Sequence, residues 1–410
     1  MLYDLIVIGG GPTGMMAAGR AGERGARVLL VERNPRLGAK LTITGKGRCN
    51  ITNAEPDIRK FIAHYGQNGK FLFSAMSRFD NENTREFFEG RGVKTKVERG
   101  QRVFPESDQA RDINDALLDY LRESKVIIKT KATVAEVVSK NKRIEKIILS
   151  NGEGLQAKNY LIATGGQSYP GTGSKGDAYQ WLRQMDHKII PIRPALAPII
   201  LKEDWIDELE GLSLKNVEIS LWQNGKKVES RFGEALFTHE GMSGPVILDM
   251  SKRAGELVAQ GAVTLVIDFK PALGEKILDE RLQKDFTAQS NKMFKNILDW
   301  LLPKKMIPMM VRISGIAGEK KVHTMTRAER QKLLKLLKSF PLEIKAVAGF
   351  ETAIVTAGGV DLREVDPKTM KSRIIDNLFL AGEILNLDGP TGGFNLQVCW
   401  STGFVAGESI

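Results

Sequence analysis

LIVIGGGPTGMMAA, residues 5–18, passes from the pattern of a buried strand to that of a helix. Leu5–Ile8 is an uninterrupted apolar run, GGGPTG is typical of a tight turn, and the small residues that follow favour a helix. A second apolar segment, Ala26–Glu32, begins after Gly25. Strand, turn, helix and strand in this order predict a βαβ unit with parallel strands.

The glycines of this turn have the spacing that a nucleotide-binding turn requires. Gly9 permits the sharp turn, Gly11 lets the backbone approach a pyrophosphate, and Gly14 lets the helix pack closely on the strand. Glu32 follows eighteen residues after Gly14 and ends the second strand, where a carboxylate can accept hydrogen bonds from both ribose hydroxyls. The turn and the acid together predict that this part of the chain binds a dinucleotide.

The composition is that of a globular protein without a metal or disulfide framework. Hydrophobic residues make up 42% and charged residues 27% of the chain, as in ordinary globular proteins. The length of 410 residues predicts two or three domains. The longest apolar runs have strand length and Asp4 argues against a secretory signal, so we expect no membrane span and a cytoplasmic location. Two cysteines without a C-x-x-C pair and four scattered histidines argue against a structural disulfide, zinc or another metal.

The pattern of elements changes twice along the chain. Strands alternate with helices and glycine turns in the first part of the chain, and this style returns from Thr352 onward. From Pro191, short alternating segments indicate antiparallel sheet or barrel, and a helical section follows. We therefore predict a discontinuous α/β domain of residues 1–190 and 351–410, a β-barrel insert of residues 191–272 and 340–350, and a helical subdomain of residues 273–339 within that insert.

Three later segments indicate which dinucleotide is bound. LIATGG, ending at Gly165 and Gly166, and NLFLAGE, ending at Gly382 and Glu383, are strands that end in small residues, as a backbone close to a cofactor requires. The acid of the second segment is placed to hydrogen-bond a polyol. GGFNLQ, residues 392–397, supplies a helix N-terminus that suits the pyrimidine side of a flavin. NAD needs neither feature, so the sequence predicts FAD.

A second G-x-G-x-x-G pattern occupies residues 171–176. It begins seven residues after the expected strand end at Thr164, so it lacks the register between strand and turn that makes the glycines useful. We interpret it as a loop that caps the helix near residues 177–185, with a nicotinamide site as the alternative.

The order and spacing of long motifs resemble the bacterial flavoproteins classed as NAD(P)/FAD-dependent oxidoreductases, which are similar to aminoacetone oxidase. The motifs are VIGGGPTGMMAA, LGAKLTITGKGRCNITN, ATGGQSYPGTGSKGDAY, GEALFTHEGMSGPVILDMS and, near the end, LFLAGEILNLDGPTGGFNLQ. The resemblance implies a glutathione-reductase-like FAD/NAD(P)-binding Rossmann-type domain, interrupted by a β-barrel plus helical insert. It also implies cofactor contacts at Gly9, Gly11, Gly14, Glu32, Arg33, Lys40, Gly45, Arg48, Asn50, Gly165, Gly382, Glu383, Gly393, Phe394 and Asn395.

Catalytic residues are harder to identify because flavin chemistry needs little from the protein beyond orientation, hydrogen bonds and a proton source. Cys49 in GKGRCN is a candidate proton donor beside Arg48, and the alternative is a small residue that holds the loop. His239 in LFTHEGMSGP is a candidate for substrate binding or proton transfer, and the alternative is a capping role in its turn.

The basic charge is concentrated in one region. The net charge is +11, and residues 301–345 contain eleven Lys and Arg against three Glu. At 100° per residue, the helix within residues 327–340 turns its leucines to one side and its cations, Arg327, Arg330, Lys332, Lys335 and Lys338, to the other. A solvated basic face needs no ligand, but RNA phosphates would also neutralise it.

These observations predict a FAD-dependent oxidoreductase whose flavin is reduced by transiently bound NAD(P)H or by substrate, and is reoxidised by an unidentified acceptor. The first alternative is a flavin-dependent RNA-modifying enzyme, similar to an rRNA dihydrouridine synthase, that binds RNA through the basic helix. The second is a small-amine oxidase that uses oxygen. A non-catalytic flavin-containing sensor or assembly protein is the third.

Overall fold

The computed structural model describes residues 2–410 and divides the chain into two compact units. The first unit contains the chain up to Ala195 together with Phe350–Ile410, and the second unit is Leu196–Gly349. The first unit therefore extends a few residues beyond the expected boundary at residue 190.

Helices and strands are numbered along the chain. The segment up to Ala195 contains β1 (Tyr3–Ile8), α1 (Pro12–Glu23), β2 (Val28–Val31), α2 (Ala39–Ile43), β3 (Thr52–Asn53), α3 (Ile58–Ala63), α4 (Phe73–Met76), α5 (Asn81–Glu89), β4 (Thr95–Glu98), β5 (Arg102–Pro105), α6 (Ala110–Glu123), β6 (Ile127–Lys129), β7 (Val134–Lys140), β8 (Arg143–Leu149), β9 (Gly154–Leu155), β10 (Ala157–Ile162), α7 (Asp177–Gln184) and β11 (Ile189–Ala195). The second unit contains β12 (Ile199–Leu201), β13 (Ser213–Gln223), β14 (Lys226–Thr238), β15 (Gly241–Ser243), α8 (Pro245–Val258), β16 (Thr264–Asp268), α9 (Glu275–Ala288), α10 (Phe294–Ile297), α11 (Ile307–Ser314), α12 (Arg327–Lys338) and β17 (Phe340–Val347). The last segment contains β18 (Val355–Val360), β19 (Leu378–Leu380) and α13 (Phe394–Glu408).

The first unit is built on a parallel sheet with the strand order β19-β10-β1-β2-β6. Strand β1 pairs with β10 on one side and with β2 on the other. Its residues Leu5–Ile8 are buried, which explains the continuous apolar run, because helices and loops cover both faces of a parallel sheet. Parallel strands end at a common edge, so the residues that follow Ile8, Val31, Ile162 and Leu380 meet there. In open α/β sheets this edge is where ligands bind.

Helices α1 and α13 pack closely against each other, and this brings the last helix to the glycine turn. A Cβ at Gly407 would lie 2.3 Å from the carbonyl oxygen of Ala17, so only glycine allows the approach. Arg20 of α1 and Glu408 of α13 form an ion pair of 2.8 Å. The contact between distant parts of the chain therefore depends on small residues and on one ion pair.

The second unit is a closed barrel with the strand order β12-β15-β14-β13-β16-β17. Ile219 and Leu221 of β13 and Leu265 of β16 are fully buried and belong to its apolar core. Helices α9–α12 are inserted in sequence between β16 and β17, and the leucines at 333 and 337 of α12 pack into the same core.

Residues 191–195, which include two prolines, belong to the first unit, whereas the sequence pattern placed them at the start of the insert. Strand β11 pairs antiparallel with β18 in a ribbon of two strands, with Ala195 opposite Val355. Proline cannot donate a ladder hydrogen bond, but a two-stranded ribbon leaves one edge of each strand free, so prolines are tolerated. Alternation alone does not reveal which sheet such a strand joins.

Two of the five cations predicted to form an exposed face on α12 have internal partners. Arg330 lies 2.8 Å from Asp279 of α9, and Lys338 lies 2.6 Å from Asp268 at the end of β16. Both cationic side chains are largely buried, so the prediction of a five-cation face is wrong for them. Helical periodicity shows on which side of a helix a residue lies. It does not show which acidic side chains the neighbouring elements place next to that residue. The three remaining cations of the helix are exposed, and they are Arg327, Lys332 and Lys335.

Candidate active site

The glycine turn before α1 forms an open cradle for an anion. Gly11 is the N-cap of α1, Pro12 follows it, and no side chain caps the helix. A Cβ built on Gly11 meets no atom within 4 Å, so the backbone faces open space. A Cβ built on Gly14 would instead lie 1.9 Å from the carbonyl oxygen of Gly9. The helix dipole and the free N–H groups of the first turn favour a phosphate in the open space.

Glu32 lies beside this turn, and two backbone N–H groups fix its carboxylate. Its Oε2 accepts a hydrogen bond of 2.7 Å from the Gly10 N–H, and its Oε1 accepts one of 2.7 Å from the Asn34 N–H. Each carboxylate oxygen retains a further lone pair. The geometry therefore fits the predicted role of Glu32 as an acceptor for ribose hydroxyls.

A buried ion pair lies at the same edge of the sheet. The Lys40 Nζ is 2.9 Å from Oε2 of Glu383, and both side chains are largely buried. Oε1 of Glu383 accepts hydrogen bonds from Ser168 Oγ at 2.9 Å and from the Thr356 N–H at 2.8 Å. Burial alone would raise the pKa of Glu383, but the Lys40 ammonium and these donors hold its pKa below the ordinary value. The carboxylate is therefore ionised and oriented.

Sequence reasoning identified Lys40 and Glu383 but missed Ser168 and Thr356. Ser168 follows the strand-ending glycines of β10, and Thr356 lies on β18, so neither belongs to a nucleotide-binding pattern. A signal was present only for Ser168, which lies three residues after Gly165 in the motif ATGGQSYPG.

The glycine turn before α13 is held by the loop that follows α2. With its amide oriented to satisfy its neighbours, the Asn50 side chain accepts a hydrogen bond of 2.9 Å from the Gly393 N–H. Gly393 has φ 99°, and a Cβ there would lie 2.2 Å from the carbonyl oxygen of Thr52. Asn395 Oδ1 accepts from the Gly389 N–H at 2.9 Å and closes the turn. The loop of residues 44–53 and the start of the last helix thus form one structure.

Phe394 is mainly a packing residue in this turn. Its ring lies 4.8 Å from that of Phe61 and 4.3 Å from that of His64, measured between centroids. Its carbonyl oxygen accepts a hydrogen bond of 2.8 Å from the Tyr65 hydroxyl. A cofactor contact at Phe394 stays a prediction, and the contacts described here show how its turn is held.

Arg33 and Arg48, two predicted cofactor contacts, are both paired with carboxylates. Arg33 forms an ion pair with Asp177 at the start of α7. Arg48 lies 2.5 Å from Glu98 and 2.5 Å from Asp108. Both arginines therefore link separate segments of the chain through ion pairs. A bound phosphate would share their guanidinium groups with these acids.

Cys49 is fully buried in the loop that contains Gly45. Both residues have positive φ, 61° for Gly45 and 60° for Cys49, and the Cys49 N–H donates to the Thr44 carbonyl at 2.9 Å. Burial raises the pKa of the Cys49 thiol, which keeps it protonated at neutral pH. This environment favours the loop-holding role, and proton donation by Cys49 stays a prediction.

His239 lies in the second unit at the tip of the hairpin between β14 and β15. Its side chain is 71% exposed, and its Nδ1 is 3.4 Å from Oε2 of Glu210. Its role in substrate binding or proton transfer stays a prediction.

Two buried hydroxyls test whether these residues fit FAD. Thr164 Oγ1, after the end of β10, and Tyr179 Oη, on α7, find no hydrogen-bond partner among the residues that the structure describes. Burial, and next the nearby Glu383 carboxylate, raise the pKa of Tyr179, so its hydroxyl is a donor. Buried hydroxyls without partners are costly. With the open cradle at Gly11 and the free lone pairs of Glu32, they fit a polar ligand such as FAD.

Residues 2–410 offer neither a grouped set of metal ligands nor a helix suited to span a membrane. Within that range, no three His, Cys, Asp or Glu side chains are grouped so that they could hold a metal ion. None of the helices described is both long enough and apolar enough to span a membrane.

Comparison with known proteins identifies the family. Residues 3–409 match the family described as HI0933-like protein Rossmann domain. The chain is 31% identical to a 3-dehydro-bile acid delta(4,6)-reductase from Clostridium scindens, an alignment that covers 98% of each chain. It is 29% identical to a ribosomal RNA dihydrouridine synthase from Escherichia coli over 100% of this chain and 98% of that protein.

Solved structures share the fold at low sequence identity. A 3-ketosteroid delta1-dehydrogenase from Sterolibacterium denitrificans superposes with a TM-score of 0.55 at 14% identity, covering 99% of this chain and 98% of that chain. A flavocytochrome c3 fumarate reductase gives a TM-score of 0.54 at 14% identity over 100% of this chain and 78% of that chain.

The chain belongs to the HI0933-like family of FAD-dependent oxidoreductases. The predicted Rossmann-type α/β fold, the family and the assignment as an enzyme are confirmed.

Proposed function

We propose that this enzyme reduces a carbon–carbon double bond conjugated to a carbonyl group, with FAD as resident cofactor and NAD(P)H as transient reductant. The observation that carries the cofactor part is the open cradle at Gly11 beside the fixed carboxylate of Glu32. The reaction class is supported by two relatives aligned over nearly their whole length, a delta(4,6)-reductase and a dihydrouridine synthase. A 3-dehydro bile acid and uracil both offer a double bond that a carbonyl group activates.

Different residues of the first unit would hold different parts of the cofactor. The Gly11 turn and the start of α1 would hold the pyrophosphate, and Glu32 would hold the adenosine ribose. The Lys40–Glu383 pair, formed between α2 and the residues that follow β19, would contact the flavin half. Bound FAD supplies hydride transfer, which amino acid side chains cannot provide.

NAD(P)H is proposed as a transient reductant because the first unit offers one nucleotide turn. The second glycine pattern begins in a short 3₁₀ helix, Pro170–Thr172, and not at the end of a strand. A pattern without that register does not form a pyrophosphate cradle. The overall reaction would consume NAD(P)H and one proton, saturate the double bond and release NAD(P)⁺.

The proton must come from a group in contact with solvent or substrate. Hydride addition to the carbon remote from the carbonyl leaves an enolate, and a general acid then protonates the neighbouring carbon. His239 is exposed, whereas Cys49 is fully buried with a raised thiol pKa. Burial therefore argues against Cys49, and a role of His239, which belongs to the second unit, stays a prediction.

Stopped-flow absorption tests this proposal. The holoprotein is mixed without oxygen with NADH, NADPH or an amine, and the reduced enzyme is then mixed with an enone, a uridine-containing RNA or oxygen. Bleaching by a nicotinamide followed by recovery with the enone or the RNA is the expected result. Bleaching by an amine with recovery only by oxygen would favour the small-amine oxidase instead, and would contradict the proposal.

RNA is the second candidate substrate, and the charge of the second unit favours it. Arg327, Lys332 and Lys335 remain exposed on α12. Elsewhere in the same helical region, Trp300 is 48% exposed and the Lys292 ammonium lies 4.6 Å from its ring centroid. Cations that meet phosphates, together with an exposed aromatic ring on which a base can stack, are typical of single-strand binding.

Binding of an rRNA fragment over a series of salt concentrations tests the RNA candidate. K332E combined with K335E should weaken binding and lower the salt slope by about 2, since each phosphate contact contributes about 1. K140E combined with K142E, two exposed lysines of the first unit, is the control of equal charge change. Equal losses in both double variants would show non-specific attraction only.

A further inference from the structure

The second glycine pattern is fixed to the segment that follows Glu32. Asn34 Nδ2 donates a hydrogen bond of 2.8 Å to the carbonyl oxygen of Thr172, and Arg33 pairs with Asp177. A Cβ on Gly173 would lie 2.6 Å from the same Asn34 nitrogen, so the two segments are in direct contact. These contacts join parts of the chain that are 138 and 144 residues apart.

The other side of this loop returns to the end of β10. A Cβ on Gly165 would lie 3.1 Å from the Ser174 hydroxyl. In the sheet, β1 lies between β10 and β2. A loop that touches both Gly165, after β10, and Asn34, after β2, therefore crosses the end of β1, which is where the Gly9–Gly14 turn begins.

The loop is held in this position at a conformational cost. Tyr169, Gly173 and Gly176 have φ values of 52°, 105° and 79°, all in the left-handed region. Such a conformation costs a residue other than glycine of the order of 1–2 kcal/mol, so tertiary contacts must maintain it at Tyr169. The Tyr169 N–H donates to the Phe350 carbonyl at 2.9 Å, and the Asn34 and Arg33 contacts hold the far side.

We infer that residues 172–177 form a clasp with Arg33 and Asn34 that closes over the nucleotide turn and must open before FAD enters or leaves. The inference rests on the proposed FAD site but concerns the rate of exchange. Asn34 links the two functions, because its N–H holds Glu32 and its side chain holds the loop. The clasp accounts for the contacts that the second glycine pattern makes with Arg33 and Asn34, which a nicotinamide site would not require.

Three variants open the clasp by different means. N34A removes the hydrogen bond to Thr172 but keeps the N–H that holds Glu32, and D177N removes the charge that pairs with Arg33. G173A adds a methyl group where only 2.6 Å separates it from Asn34. K175A is the control, since Lys175 is an exposed residue of the same loop outside these contacts.

FAD fluorescence after rapid dilution measures release, and quenching after mixing with apoprotein measures association. In N34A, D177N and G173A we expect both rates to rise about tenfold, the change that loss of one such contact allows, while K175A stays as the parent protein. Faster release with unchanged association would identify lost FAD contacts, not a gate, and would overturn the inference. So would unchanged rates, or an equal change in K175A. A folded parent protein that takes up no FAD would instead refute the proposed cofactor site.

Thermal unfolding of the apoproteins completes the test. N34A and D177N should unfold at nearly the parent temperature, because a clasp over an open cradle contributes little to the core. If G173A fails to fold, the other two variants still decide the question.

Discussion

The Lys40 ammonium lies 2.9 Å from the Glu383 carboxylate, although 343 residues separate them in the sequence. The pair connects the segment after β2 with the end of β19, so it connects the two parts of the discontinuous first unit. Ser168 and Thr356 donate to the same carboxylate and fix its orientation. The pair therefore has a structural role before any ligand binds, and it presents an ionised group at the sheet edge.

K40M should destabilise the protein because it leaves Glu383 as a buried charge without its cation. Removing one partner of a buried pair costs about 3–5 kcal/mol, and the residual exposure of both side chains reduces the expectation to about 2 kcal/mol. Urea denaturation measures the loss. The double variant K40M/E383Q should recover most of it, since no unpaired charge remains; equal instability of the single and double variants would contradict the assignment.

His187 should make the stability depend on pH below neutrality. Its imidazole is buried, and its Nε2 forms a hydrogen bond of 2.8 Å with Ser372 Oγ. Burial lowers the pKa of His187 from 6.5 to about 4. Between these values the unfolded chain binds the extra proton, so stability is full above about pH 6.5 and falls as the pH falls towards 4, by up to about 3 kcal/mol.

Chemical denaturation between neutral and acidic pH checks this dependence. H187Q carries no titrating group at this position and should show a flatter profile over the same range. Parallel profiles for the parent protein and H187Q would mean that the acid loss arises elsewhere.

Y179F should weaken FAD binding without harming the apoprotein. The Tyr179 hydroxyl is buried without a partner in the described residues, so its removal relieves a cost in the apoprotein and forfeits a hydrogen bond to the cofactor. We expect FAD affinity to fall about tenfold, measured by flavin fluorescence titration. Y160F is the matched control, because the Tyr160 hydroxyl accepts from the Ala157 N–H at 2.9 Å. It should lose about 1 kcal/mol of stability and keep its FAD affinity.

K338E and K335E should have different effects although both residues lie on α12. Lys338 pairs with Asp268, and its Nζ also donates to the Leu273 carbonyl at 2.6 Å. Reversing its charge next to Asp268 should cost about 3 kcal/mol or more. Lys335 is exposed, so K335E should change stability by less than about 0.5 kcal/mol. Thermal unfolding of the two variants makes the comparison, and similar stabilities would refute the internal role of Lys338.

The elements of the first unit that sequence predicts best are those whose signal is local. The Gly9–Gly14 turn, the acid at Glu32 and the order of strand, turn, helix and strand in residues 5–32 depend on neighbours that are close in the sequence. Patterns of this kind are visible because the turn, the strand and the helix each impose their own period on the sequence. The same reasoning predicted the parallel sheet, since its buried strands are continuous apolar runs.

The features that could not be predicted depend on contacts between distant segments. A short window of sequence cannot reveal that Lys338 pairs with Asp268, or that the Thr356 N–H donates a hydrogen bond to Glu383. The second glycine pattern shows that a local match can also mislead. Its residues match a nucleotide-binding turn, but it does not directly follow the end of β10. Register relative to the strands, and not composition, decides what such glycines do.

FAD uptake by G11A and G14A, followed by visible absorption and by thermal unfolding of the apoproteins, tests the central claim most directly. A Cβ at residue 11 meets no protein atom, whereas one at residue 14 would lie 1.9 Å from the Gly9 carbonyl oxygen. We predict that the parent protein carries FAD, that G11A folds as well as the parent protein but takes up little FAD, and that G14A is markedly less stable. A G11A protein that binds FAD as tightly as the parent protein would show that the cofactor does not occupy the cradle, and would contradict the account.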